Sequence, residues 1–292
     1  RSSAIWLLGD NLSLIFFGLS IYYFNKIDEL KKNNFKNSFL CLFFLILCCY
    51  IRYYYCLFSL YYLFFFYQKI DKKYFFLLLV ISFILSLPAI FYFYYIFSNS
   101  NFSTTVINYS QINFYSNSLV ILSILLFYLF PFLFLQKRPF LTYVKENKKF
   151  VMIIFSVFLI LYLSDQFLNV DLINFSSKGG GVFVKVANLL NINKLLVLSF
   201  TSFLSLIIMD YFFQKKRLQN YCLLIILIIS FPIYTIYQKY FDPLFFLFFF
   251  GLIKSDQSGF IFSEGKNTIF LIFIYFSFFF LFSLIYYTKG FI

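Results

Sequence analysis

Ten apolar stretches alternate with short polar connections along this chain, and its lysines and arginines fall almost entirely on every second connection. No other feature narrows the choice of fold so far. Basic side chains confined to one set of short loops mark a polypeptide threaded repeatedly through a bilayer, because such loops stay on the cytoplasmic side. The stretches are read as helices at about 11–24, 38–50, 53–67, 74–98, 118–135, 151–164, 195–212, 221–237, 243–253 and 268–287. Arg52 is expected to hinge the second to the third. Pro88, Pro131 and Pro232 fall inside the fourth, fifth and eighth, where a missing N–H and a bulky ring favour kinks. Several stretches are shorter than the roughly 20 residues a perpendicular span needs. These must borrow flanking residues, thin the bilayer, or lie among neighbouring helices.

The charge pattern orients the spans. Connections 25–37, 68–73, 136–150, 213–220 and 254–267 hold 17 of the 24 Lys and Arg residues. Arg1, Arg52, Lys178, Lys185, Lys194, Lys239 and Lys289 lie on the other side. The first set is therefore expected in the cytoplasm. One missed or invented span would break the alternation downstream of the error, so its persistence is an internal check.

Composition fits the same class. The chain is 62% hydrophobic with a mean hydropathy of +0.86, against roughly 45–50% apolar residues in ordinary soluble domains. Its 51 Phe and 26 Tyr exceed what one water-soluble core could hide, whereas lipid solvates outward helix faces. The excess of Phe, Tyr, Ile, Asn and Lys also matches a coding bias toward A and T, so no stacking site is drawn from it. Neither strand-length alternation nor barrel spacing is present. The expected fold is an all-α polytopic transmembrane helix bundle, a single transmembrane domain over 1–292, with bulky Phe and Leu filling the helix interfaces.

Several function classes fall away. The net charge of +13 is dispersed between apolar runs and forms no single patch, so nucleic acid is not an expected partner. With no histidine anywhere, His-ligated haem, His-based metal sites and a Ser-His-Asp triad are excluded within this chain. Cys41, Cys48, Cys49, Cys56 and Cys222 lie in apolar runs, and an odd total gives no disulfide framework. No secretory signal pattern is visible at the start. Residue 1, an arginine, reads as an internal position of a longer protein.

The outward connections carry the candidate site. Residues 99–117 have no charge; Asn101-Phe-Ser103 and Asn108-Tyr-Ser110 fit the N-glycosylation acceptor pattern. Residues 165–194 include Lys178 followed by Gly179, Gly180 and Gly181. Glycine backbone can approach a phosphate closely; the same run also serves as a turn into a weakly amphipathic interfacial helix. Arg52 interrupts two apolar runs, where a guanidinium must face water, protein or a ligand. It could hold a lipid-linked phosphate or snorkel to headgroups. Lys239 and Asp242 place both signs of charge at an outer boundary, as a sugar or phosphate contact or as an ordinary turn ended by Pro243. Asp210, with Lys215 and Lys216 beyond it, reads as a local charge partner.

Two patches carry a family resemblance. Arg1-Ser2-Ser3-Ala4-Ile5-Trp6, then Asp10, then the helix Leu12 to Phe24 with Tyr22 four residues before Lys26, resembles a recurring stretch of multi-spanning glycosyltransferases of the GT-C class. Lys239-Tyr240-Phe241-Asp242-Pro243-Leu244 resembles an R-Y-L-L-P element of the same class, with Lys for Arg and Asp for an apolar residue. The resemblance implies transfer of a sugar from a polyprenyl-phosphate donor to an acceptor on the non-cytoplasmic face. It also implies a bacterial inner-membrane location. The class uses a carboxylate in the first outward loop as acid or base, often as an acidic pair and sometimes with a divalent metal. This chain has no such pair, so an N-terminal part would supply both, and no catalytic residue is carried over. The expected substrate-binding residues are Arg52, Lys178, Lys239 and Asp242; no metal ligand and no cofactor are identifiable here. Expected partners are the lipid bilayer and a polyprenyl-phosphate-linked sugar. Two other classes stay open: a transporter or flippase of lipid-linked sugars or small solutes, and an organelle-encoded membrane subunit of a respiratory complex.

Overall fold

In a computed structural model of the chain, the structure describes residues 2–29, 34–98, 114–135, 140–168, 181–231, 236, 238, 241–254 and 266–288. Among these residues every regular element is helical. The helices are α1 (Ser2–Glu29), α2 (Phe35–Ile51), α3 (Phe58–Lys69), α4 (Lys72–Ser98), α5 (Phe114–Leu129) and α6 (Phe140–Glu146). They continue with α7 (Lys148–Leu168), α8 (Gly181–Leu189), α9 (Lys194–Phe212), α10 (Arg217–Ile229), α11 (Asp242–Phe246) and α12 (Lys266–Thr288). A π-helical turn, Leu247–Leu252, extends α11. Each expected apolar stretch thus contains helix. Among the described residues, Lys72–Tyr92, Phe114–Leu133 and Lys194–Phe212 are long and apolar enough to cross a membrane. Phe35–Ile51, Arg217–Ile229, Pro243–Leu252 and Phe270–Leu281 are shorter apolar helices.

The breaks follow the sequence. Arg52 takes an extended conformation (φ −140°, ψ 101°) that ends α2, and Tyr53–Tyr55 form one 3-10 turn before α3. At Pro131 the α-helix has already given way, at Leu129, to the 3-10 run Phe130–Leu135. Pro88 behaves differently: α4 continues through it. Here the Tyr50 hydroxyl donates to the Leu85 carbonyl at 2.6 Å, on the turn where the proline ring disturbs the helix ladder.

The chain divides into two compact units. The first comprises Arg1–Ile121, Asp171–Gly181 and Leu218–Ile253. Its centre is the contact of α1 with α2, α3 and the π turn. Phe17 packs on Tyr55 and Phe58 at ring distances of 4.8 and 5.0 Å, and Phe24 on Tyr62 and Phe65 at 4.7 Å each. Ser20 donates from its hydroxyl to the Cys41 carbonyl at 2.9 Å, a small residue that lets α1 and α2 approach. Offset and edge-to-face ring contacts of this kind add to the burial that holds the helices together. In contrast, α4 is turned outward: only 6% of its apolar window is buried.

The second unit comprises Leu122–Val170, Val182–Arg217 and Lys254–Ile292. Here α9 is the buried element, with Ser199, Thr201, Ser202 and Ser205 enclosed beside Leu198 and Met209. Its start is fixed by Asn193, whose side chain accepts from the Leu195 N–H at 2.9 Å, an N-cap that satisfies an orphan donor. Phe155 and Phe158 of α7 meet Phe203 of α9 at 5.6 and 6.4 Å. The Tyr275 hydroxyl of α12 donates to the Phe127 carbonyl at 3.0 Å, beneath the Phe127–Phe279 ring contact at 4.6 Å.

Candidate functional site

A groove of about 390 Å³ opens between α2, α3 and α4 in the first unit. Its walls are Leu42, Leu45, Ile46 and Cys49 of α2, Ser59 and Leu63 of α3, and Leu79, Phe83, Ala89 and Ile90 of α4. Tyr50, Tyr53 and Cys56 border it from the two sides of the Arg52 break. The volume lies within the roughly 300–1,000 Å³ of small-molecule sites.

The groove wall is mostly carbon. Three of its five hydroxyls are engaged by backbone: Tyr50 donates to the Leu85 carbonyl, Ser86 to the Ser82 carbonyl at 2.8 Å, and Ser59 to the Cys56 carbonyl at 2.6 Å. A hydroxyl that has given its proton to a helix carbonyl keeps only acceptor capacity toward an occupant.

Arg52 is the one expected substrate-binding residue whose side chain is described. It is half-buried, at the break between the two groove-lining tyrosines, and its N–H caps α2 by donating to the Cys48 carbonyl at 2.9 Å. Asp242 opens the backbone of α11, with Pro243 in the first turn, where a missing N–H costs nothing. Lys178 and Lys239 lie outside the described residues, as do Gly179, Gly180 and the two N-glycosylation patterns. Gly181 adopts a positive φ of 76° and begins α8, a conformation suited to glycine. Among the described residues, no cluster of three or more His, Cys, Asp or Glu could hold a metal ion.

A second polar centre lies in the other unit. Asp210, at the end of α9, is 1% exposed. It receives a fork from Arg217, Nε to Oδ1 and Nη2 to Oδ2, each at 2.6 Å. The Tyr143 hydroxyl of α6 donates to Oδ2. The guanidinium also lies over the Phe150 ring at 4.8 Å, and Phe140 and Tyr143 pack edge-on against Tyr211. Asp210 is the local charge partner expected from the sequence, and the cation is Arg217. The turn decides this: Lys216 takes a left-handed conformation, φ 52°, and sends the first residue of α10 back toward the end of α9. Both carboxylate oxygens are engaged by the fold, and the centre ties α6, α7 and α9 to the first residue of α10.

Sequence reasoning missed the groove, whose wall carries both Cys49 and Cys56. The interrupting Arg52 marks where α2 ends, but the groove itself has no pattern along the chain. Comparison with protein-family models, curated proteins and solved structures gives no match.

Proposed function

We propose that this chain is a multi-pass protein of the bacterial inner membrane, crossing about ten times, that serves a polyprenyl-phosphate-dependent glycosyltransferase. In this reading the α2–α3–α4 groove seats a length of prenyl chain and Arg52 contacts the donor phosphate. The carrying observation is a largely apolar groove bordered by Tyr50 and Tyr53, the residues on either side of the half-buried Arg52 break. A lipid with an anionic head and an aliphatic tail matches both ends; a free sugar matches neither. Guanidinium donors bind phosphate oxygens in a planar fork that an ammonium does not reproduce.

The test is photo-crosslinking of a benzophenone-bearing polyprenyl phosphate to the full protein in membranes. Label is expected on the segment from Leu42 to Ile90, and Arg52→Ala is expected to lower it about tenfold, the loss of one charge-assisted hydrogen-bonded contact. Arg52→Lys should recover only part. Undiminished labelling in Arg52→Ala, or full transferase activity of the complete protein after Arg52→Ala and Lys239→Ala, would overturn the reading.

The orientation has its own check. Membrane-impermeant amine labelling of intact cells should leave Lys145 and Lys216 unmodified until the membrane is opened, while Lys178 reacts. The reverse order would turn the protein over and remove the outer phosphate site.

A further inference from the structure

A recess of about 230 Å³ lies between α7 and α9, within the second unit. Phe155, Phe158 and Leu159 line it from α7, and Leu196, Ser199 and Phe200 from α9. Phe155, Leu159, Leu196 and Phe200 are exposed, whereas Ser199 is 6% exposed. The recess therefore has an open apolar rim and an enclosed serine. Ser199 also departs from the habit of its helix. A helical Ser or Thr commonly gives its proton to the carbonyl four residues back, and Thr201 does so to Val197 at 2.8 Å. The Ser199 hydroxyl makes no hydrogen bond among the described residues.

A buried polar group without a partner is costly, so the recess favours a guest that supplies one. A buried water needs two to four polar partners, and the Phe and Leu walls offer none. An acyl chain fills the volume but leaves the hydroxyl as it was. A carbonyl oxygen accepts the serine proton and brings no proton of its own to be satisfied. The rings of Phe155, Phe158 and Phe200 favour an aromatic guest through edge-to-face contacts. An apolar cavity of about 150 Å³ accommodates a benzene ring, so this recess has room for a ring and a short substituent. We propose that the α7–α9 recess is a binding site for a neutral, membrane-soluble aromatic ring bearing a carbonyl oxygen, with that oxygen on Ser199. Serine has three staggered side-chain positions, and rotation between them turns the hydroxyl toward the guest. Because α9 is long and apolar enough to cross a membrane, the guest enters from lipid. The site stands on the second unit alone, whatever the α2–α3–α4 groove holds.

The experiment irradiates the full protein, in phosphatidylcholine nanodiscs, with a diazirine-bearing acetophenone and maps the label on tryptic peptides. Saturable label is expected on peptides 150–178 and 195–215, which carry the two walls. Unlabelled acetophenone and α-methylstyrene then compete for the site; the second has the same outline with a methylene in place of the carbonyl oxygen. The ratio of their half-displacement concentrations should shift about fivefold against acetophenone in Ser199→Ala, the loss of one hydrogen bond. Partition into the bilayer cancels in this comparison. Unchanged competition by α-methylstyrene shows that the variant keeps its recess. An equal ratio in wild type and Ser199→Ala would overturn the proposal. Label that does not saturate, or that falls outside the two peptides, would also overturn it, since acyl chains would then fill the recess.

Discussion

Arg217→Ala should lower the stability of the protein by about 3 kcal/mol, and Asp210→Asn by much less. The asymmetry comes from burial. Asp210 is 1% exposed while the Arg217 side chain is 46% exposed. Removing the arginine takes the paired cation from a carboxylate enclosed in the protein and leaves the Tyr143 hydroxyl among its donors. Uncompensated buried charges cost about 3–5 kcal/mol. The low end applies because a half-exposed guanidinium is already partly screened by water. Removing the carboxylate charge leaves instead an arginine that water can reach, stacked on Phe150, and an amide that still serves Tyr143. Adding Asp210→Asn to Arg217→Ala should therefore recover most of the lost stability. Thermal unfolding of the three variants in detergent measures this. If Asp210→Asn proves the more damaging single change, the carboxylate has a role beyond this ion pair.

Gly251→Ala should cost about 1–3 kcal/mol, the range for overpacking a filled interface, while Gly18→Ala should be neutral or slightly stabilising. A Cβ built on Gly251 would sit 2.6 Å from Cγ2 of Ile21, whereas one on Gly18 would meet Leu247 at 3.6 Å, an ordinary contact. Ile21 is 4% exposed, and its branching at Cβ leaves that methyl little freedom to swing away. The π turn is also anchored, since the Asn25 side-chain amide donates to the Gly251 carbonyl at 2.9 Å. For Gly18, replacing glycine inside a helix gains roughly 0.5–1 kcal/mol of backbone entropy. In a double-mutant cycle, Ile21→Ala with Gly251→Ala should be less harmful than the two losses added, by about 1 kcal/mol or more. Strict additivity would mean that α1 and the π turn do not touch at this point.

Much of the helical layout was legible because apolar runs and their interruptions are local properties. Arg52 breaks a helix since a guanidinium among tyrosines seeks water, and the sequence shows that directly. Pro88 illustrates the limit. The residue marks a weak point in α4, but it does not show that the helix continues through it, nor that Tyr50, 38 positions earlier, donates to the Leu85 carbonyl on the neighbouring turn. Proline is tolerated in apolar helices where neighbours satisfy the disturbed backbone. Short α6 was read as part of a charged connection. It is held by Phe140 and Tyr143 docking on Tyr211, a contact of high sequence separation that no local pattern announces. Asp210 was legible as an ion-pair partner, but the sequence pointed to Lys215 and Lys216, whereas the turn at left-handed Lys216 brings Arg217 to it. Of the candidate site, Arg52 was legible as an interruption; the groove beside it arises from three helices converging and has no signature along the chain.

The brevity of α3 decides its surroundings. Twelve residues at 1.5 Å each reach only about 18 Å, against roughly 30 Å of hydrocarbon. In the proposed setting α3 cannot cross alone, and its five buried aromatic residues give it neighbouring helices rather than lipid as its main surroundings.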